Sequence, residues 1–324
     1  MGSTKHACRA LLRVHGDADW GLHSDGVPVS RVQDSYISSN KPDSRGPGAC
    51  VGDSCLFRNA TEPYPWVQSL ASSLSAGPNQ LGDKINASDT ALIMRTCRKD
   101  GLLLKPDRPA TPIDSYWSVR AFGADVSGPK GELWTTETTI DGLTWMYAFG
   151  AMLDEPYELS MPELLHGASA WPLVTSSAVP SFPARRTGAT AEAGTFLSYE
   201  HTGSVNGSGL PGEARRFDNA AMLLFKSGAD YGSATFHVVA PTLANKWTIL
   251  GETDKLIPMA KQRVRSIASL GATVLITVAG APGELVSIWA VGPGIVEQQP
   301  FNCTVSSSGT GVITISAEGA VSKP

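Results

Sequence analysis

Residues 272–280 read ATVLITVAG, and the order of these side chains decides how most of the chain folds. Val274, Ile276 and Val278 recur at every second position, with Thr273, Leu275 and Thr277 between them. Successive side chains of an extended strand point to opposite faces, so this spacing gives a strand with one wholly branched, apolar face. Similar short runs rich in β-branched and aromatic residues recur on both sides of it. They are YWSVRAFG (116–123), GELWTTETTI (131–140), LTWMYAFGAML (143–153), AMLLFKS (221–227), ATFHVVA (234–240), KWTIL (246–250), QRVRSIAS (262–269), ELVSIWAV (284–291) and GVITISA (311–317). Turn residues separate them, and ten such runs predict an antiparallel β-sandwich over residues 115–324. Only residues 176–218 break the series. SFPARRTGATAEAG (181–194) and NGSGLPGEARR (206–216) there read as a long, loop-rich insert.

Upstream of residue 114 the texture differs. GVPVSRVQ (26–33) is a short strand candidate followed by a breaker-rich loop. PYPWVQSLASSL (63–74) places Trp66, Leu70 and Leu74 at a spacing of four, which predicts a helix. SDTALIMRTCRKDG (88–101) predicts a second one, with Ser88 as N-cap, Leu92, Ile93 and Cys97 on one stripe, and Gly101 as the stop. LLLK (102–105) then leads into the loop PDRPATP (106–112). The fold class expected is α+β but mostly β: an incomplete barrel-like αβ segment over residues 1–114, then the sandwich.

Composition excludes several classes. The chain has 324 residues, 42% hydrophobic and 17% charged, with a formal net charge of −4, which suits a globular chain with a large core. No long Lys/Arg run is present, so neither nucleic acid nor an anionic membrane surface is an expected partner. No apolar stretch nears the roughly 18 residues of a membrane span, and the first 21 residues do not read as a secretory signal. The six histidines show no HxH or HExxH spacing, no phosphate loop or G-x-S-x-G elbow occurs, and no cofactor or metal is expected. Cys50 and Cys55 bracket VGDS and suit a loop disulfide in an oxidising setting, or free thiols. Four of eight asparagines, Asn59, Asn86, Asn206 and Asn302, lie in N-x-[ST] triplets, which favours a secreted or lumenal setting over the missing signal.

SAGPNQLGDKIN (75–86), LIMRTCRKDG (92–101) and LLLKPDRPATPID (102–114) together resemble the retaining α-galactosidase and raffinose-synthase group of glycoside hydrolases. In that group a glycine–proline turn and a Gly-Asp-Lys segment close the catalytic barrel, and a helix leads to a Leu-Lys-Pro-x-Arg-Pro exit. The likeness continues through GELWTT (131–136), WTILGETDKLIPMAKQRVRSI (247–267) and LITVAGAPGE (275–284), and VPVSRVQDSY (27–36) is similar to a eukaryotic subgroup. The resemblance implies a carbohydrate partner and acid–base chemistry at a glycosidic bond.

Retaining hydrolysis needs two carboxyl groups about 5–5.5 Å apart, one ionised to attack and one holding a proton. A typical (β/α)8 barrel takes about 250 residues, and only 74 precede Ser75. The strand that would carry the nucleophile has no counterpart, so the chain is expected to be the C-terminal portion of a glycosidase-like protein, catalytically incomplete alone. By resemblance Asp34 is the candidate acid/base and Arg31 its neighbouring clamp. Asp83 and Lys84 are candidates for hydroxyl recognition, and Asp19 beside Trp20 has the makeup of a sugar site. Each also suits a turn, a solvated loop or a local ion pair. Two further readings are a non-catalytic β-sandwich that binds a carbohydrate or partner, and a hydrolase completed by an oligomer or a separate barrel-bearing chain. Trp117, Trp134, Trp145, Trp171, Trp247 and Trp289 offer stacking faces for the binding reading, but Trp134, Trp145 and Trp289 sit in strand patterns that core packing explains.

Overall fold

The computed structural model describes residues 64–77, 89–122, 127–167, 191–201, 212–218, 220–293 and 297–316. In chain order these form α1 (Pro65–Leu74), α2 (Thr90–Thr96), β1 (Thr111–Pro112), α3 (Asp114–Phe122), β2 (Glu132–Ile140), β3 (Leu143–Ala151), β4 (Tyr157–Ser160) and α4 (Met161–Gly167). They continue with β5 (Ala191–Glu200), β6 (Arg215–Phe217), β7 (Met222–Phe225), a 3-10 turn (Tyr231–Ser233), β8 (Thr235–Leu243) and β9 (Thr248–Gly251). The last strands are β10 (Val264–Leu270), β11 (Thr273–Ala279), β12 (Leu285–Val291), β13 (Gln298–Thr304) and β14 (Thr310–Ile315).

Nine of the described strands build one sheet, ordered β1-β2-β3-β8-β9-β12-β13, with β5 paired to β8 and β6 to β5. β10, β11 and β14 form a second sheet, and β4 and β7 form a ribbon. The pairings between these strands are antiparallel. The described residues are thus mostly antiparallel sheet with few helices, consistent with a β-sandwich.

The period-two pattern read in ATVLITVAG is observed: Val274, Ile276 and Val278 are all buried in the main core. Ile267, Ile313 and Ile315 join them from β10 and β14. This core also takes Trp145, Tyr147 and Phe149 of β3, and Val67, Leu70, Ala71 and Leu74 of α1. Met146 and Ala148 of β3 enter a second core, with Leu159, Leu164, Phe217, Leu223 and Phe225. β3 and β8 are buried at every position because both their faces are covered. That explains why LTWMYAFGA shows no polar alternation.

Central aromatics carry polar atoms into this interior, and each finds a backbone acceptor. Trp145 Nε1 donates to Ile249 O (2.7 Å), Tyr147 OH to Met259 O (2.9 Å) and Tyr199 OH to Leu250 O (3.0 Å). An unpaired buried donor costs about 1–3 kcal/mol, so these bonds hold residues 249–259 at a set depth against the sheet.

Two expectations need correction, and one strand is additional. YWSVRAFG is not a strand: residues 114–122 form α3, and Ile113 just before it and Tyr116 within it pack into the second core three residues apart while Trp117 stands 43% exposed. That spacing is helical, and Asp114 in the first turn complements the helix dipole. The insert is partly sheet, because β5 and β6 lie within it and pair with each other. QQPFNCT forms β13, an additional strand whose Pro300 is tolerated at the sheet edge.

Of the segment expected to be barrel-like, residues 64–77 and 89–114 are described. α1 occurs where its spacing placed it. α2 is shorter than its pattern, capped by Asp89, whose Oδ1 accepts from Leu92 N at 3.0 Å; Ser88 lies outside the described residues. β1 adds antiparallel to β2 through Thr111↔Thr135 and Pro112↔Trp134.

A Cβ on Gly150 of β3 would run into the ring of Phe225. Gly150→Ala is expected to lower unfolding free energy by about 1–3 kcal/mol in urea titration, and adding Phe225→Leu should restore part of the loss.

Candidate functional site

GETDKLIPMAKQR (251–263) leaves β9 without regular structure, yet only Asp254 and Lys261 are exposed. Irregular backbone is rarely buried, because its amides and carbonyls need partners. Here Gly251 turns the chain with φ +102, and a Cβ there would lie 2.7 Å from Pro258 O. Glu252 N then donates to Pro258 O (3.0 Å), and Lys255 N to Glu252 O (2.9 Å).

Arg263 ends the segment with 0% of its surface exposed. Its Nε donates to Glu252 Oε2 at 2.7 Å, Nη2 to Glu284 Oε1 at 2.5 Å and Nη1 to Ala279 O at 2.8 Å. Glu284 also accepts from Lys99 N (3.0 Å) and Ala281 N (2.8 Å). A Cβ on Gly280 would fall 2.5 Å from Glu284 Oε2 and 2.6 Å from Arg263 Nη1, so glycine lets the backbone pass the ion pair.

Two carboxylates share one guanidinium, so one negative charge is left over in a buried place. Burial pushes Glu252 up to about 7, with Arg263 and Lys255 pulling only part of the way back. Burial also acts on Glu284, but its bond to Arg263 and two backbone donors outweigh it and hold that carboxyl below its usual range. Glu252 is therefore the member of the pair that accepts a proton near neutrality.

The same segment grips α2 and the strand exit beyond it. Lys255 Nζ donates to Met94 O (2.9 Å), Arg95 Nε to Asp254 O (3.1 Å) and Leu256 N to Arg95 O (3.0 Å). A lysine at helix-terminal carbonyls satisfies orphan acceptors and opposes the dipole. Arg98, ion-paired with Asp100, donates through Nη1 to Gln262 O (2.7 Å). Lys261 reaches Asp107 Oδ2 at 2.6 Å, and that oxygen also accepts from Thr139 N of β2. His201 Nε2 lies 2.8 Å from Lys255 O; burial, then the Arg95 charge, lowers its pKa to about 4, so it is neutral.

Glu252 and Glu284 are 3% and 6% exposed, and both are engaged by Arg263. A glycosidase acid must touch its leaving oxygen, and these carboxylates present no open face to a sugar. Their chemistry is that of a polar clamp between segments. Among the described residues no group of three His, Cys, Asp or Glu is placed to hold a metal ion.

Asp34, Arg31, Asp83, Lys84, Asp19 and Trp20 all lie outside the described residues, as do Asn59, Asn86, Asn206, Cys50, Cys55 and Trp171. Trp134 and Trp145 are core residues as their strand patterns indicate, and Trp247 is buried as well; Trp289 is half-buried. His237 is a buried strand residue with Nε2 3.0 Å from Leu224 O. Cys97 and Cys303 are buried and neither is in a disulfide. The Glu252–Arg263–Glu284 centre escapes a reading that seeks exposed acids; its trace is charge set beside glycine inside apolar segments, as in ILGETD and AGAPGEL. Comparison of the chain with protein-family models and with curated proteins gives no match.

Two outcomes follow from this electrostatics. Glu252, ordinarily near 4.5 and raised to about 7 here, costs stability progressively as pH rises from about 4.5 to about 7. His201, ordinarily 6.5 and lowered to about 4, acts oppositely, costing stability as pH falls from about 6.5 to about 4. Glu252→Gln should therefore melt about 2–4 °C above the parent chain at pH 8 and level with it at pH 5, as scanning calorimetry would read. Arg263→Ala leaves two buried acids unpaired and is expected to cost about 3–5 kcal/mol, whereas Arg263→Met with Glu252→Gln and Glu284→Gln should recover much of it.

Proposed function

We propose that the chain is a glycoside-hydrolase-like protein of the α-galactosidase and raffinose-synthase kind, in which the described β region supplies architecture and no catalytic acid. The carrying observation is a convergence. CRKDG, LLLKPDRP, GETDKLIPMAKQR and AGAPGE, four segments that hold the resemblance, meet in one hydrogen-bonded network through Lys99, Gln262, Arg263 and Glu284. Segments shared for catalysis would bring carboxylates to a surface; these bring them to a sealed joint. The joint ties the helix-bearing segment 89–112 to the sheets, which suits a β domain that braces a neighbouring catalytic unit. The substrate class is an α-galactoside, and the described residues alone do not complete the reaction.

A second reading has one observation in its favour. Trp117 is 43% exposed on α3, its ring near-perpendicular to that of Tyr116 at 5.4 Å, and an exposed indole is the kind of surface that stacks on a sugar ring. On that reading the protein binds carbohydrate without cleaving it.

The test is the purified full chain with a nitrophenyl α-galactoside, alongside a glycan array. No turnover above the blank is expected. Turnover abolished by Asp34→Asn would overturn catalytic incompleteness while supporting the family. Saturable glycan binding weakened about tenfold by Trp117→Ala, without turnover, would favour the binding reading.

A further inference from the structure

We infer that Asn302 is an N-glycan acceptor, and that its glycan covers the outer face of the β12–β13 edge. The inference stands apart from the function proposed above.

Asn302, Cys303 and Thr304 form an N-x-T triplet within β13, the terminal strand in the order of the nine-stranded sheet. Phe301 and Cys303 point into the core, while Asn302 and Thr304 are exposed. Two positions apart on a strand, the acceptor amide and the hydroxyl stand on the same open face. Neither side chain has a hydrogen-bond partner among the described residues.

Serine stands directly across from Asn302, and apolar side chains stand diagonally on either side of it. Register pairs Asn302 with Ser287, Thr304 with Leu285 and Pro300 with Trp289. Leu285 is 66% exposed, Pro300 is exposed and Trp289 is half-buried. Among the described residues no second strand pairs with β13, and exposed apolar side chains beside such an edge invite edge-to-edge pairing, which proteins block with charge, proline or a bulky cover; Pro300 guards one position only. Charged side chains are missing from 298–304 and from 285–291, so neither strand carries the usual charged guard. A glycan at the centre of the face fills that role: its inner sugars lie within reach of Leu285 and Trp289, and its bulk keeps a second strand off β13.

The step is a group transfer from a lipid-linked diphosphate oligosaccharide donor. Asn302 Nδ2 forms a C–N bond to the anomeric carbon as the C–O bond to the diphosphate breaks. The amide loses one proton, and the lipid diphosphate leaves.

The test expresses the full chain behind a cleavable lumen-targeting leader in eukaryotic cells, taking cell-associated and secreted protein together. Amidase release in heavy-oxygen water marks each glycosylated asparagine as labelled aspartate, read by peptide mass spectrometry. Label at Asn302 in most molecules is expected, and its loss in Thr304→Ala, a change outside the core. Asn302 recovered unlabelled, whatever the state of Asn59, Asn86 and Asn206, overturns the assignment. Enzymatic removal of the glycan should raise self-association several-fold in sedimentation, and Leu285→Thr should reverse that rise. Equal association with and without the glycan overturns the covering role.

Discussion

A single guanidinium holds this structure's polar interior together. Arg263 is buried, and three of its donors reach Glu252, Glu284 and the backbone of Ala279. Glu284 in turn receives the backbone of Lys99, so the ion pair extends from the strand loops to the segment after α2. Desolvating three charges is expensive, and Coulomb attraction offsets it only where every remaining lone pair is satisfied. That requirement accounts for the glycines at 251 and 280, which allow the backbone to come close enough to satisfy them. It also gives the clamp specificity: another register would strand an ion in the core.

The second organising constraint is two-sided burial of the large sheet. β3 sends Trp145, Tyr147 and Phe149 to one core and Met146 and Ala148 to the other. The second sheet and α1 cover the first face; α3, α4 and the β4–β7 ribbon cover the other. Trp145 and Tyr147 of β3 bond to backbone carbonyls of Ile249 and Met259, and Lys255 to Met94, so the 249–259 segment lies fixed between α2 and the sheet. The architecture is one of mutual bracing.

Much of the β region was legible from residues alone, because period-two alternation is imposed by strand geometry wherever one face is wet. β11 and β12 show it plainly. Legibility failed where another constraint overrode it. The aromatics of α3 resemble strand residues, although Ile113, just ahead of it, and Tyr116 are spaced for a helix. β13 was hidden by Pro300, acceptable only at an edge, and edge position is a property of the assembled sheet. The candidate sugar residues Asp34, Asp83 and Lys84 rest on sequence, since they lie outside the described residues.

By itself the amino-acid sequence determined the mostly-β character, α1, and the burial of Trp134 and Trp145, all of which follow from local periodicity and the cost of wetting apolar surface. Only the tertiary structure decided which charges meet. Glu252, Arg263 and Glu284 stand 11 and 21 residues apart along the chain and become one centre through the packing of β9, β10 and β11. Their meeting depends on long-range register, and the burial that shifts their proton affinities has no counterpart in the extended chain.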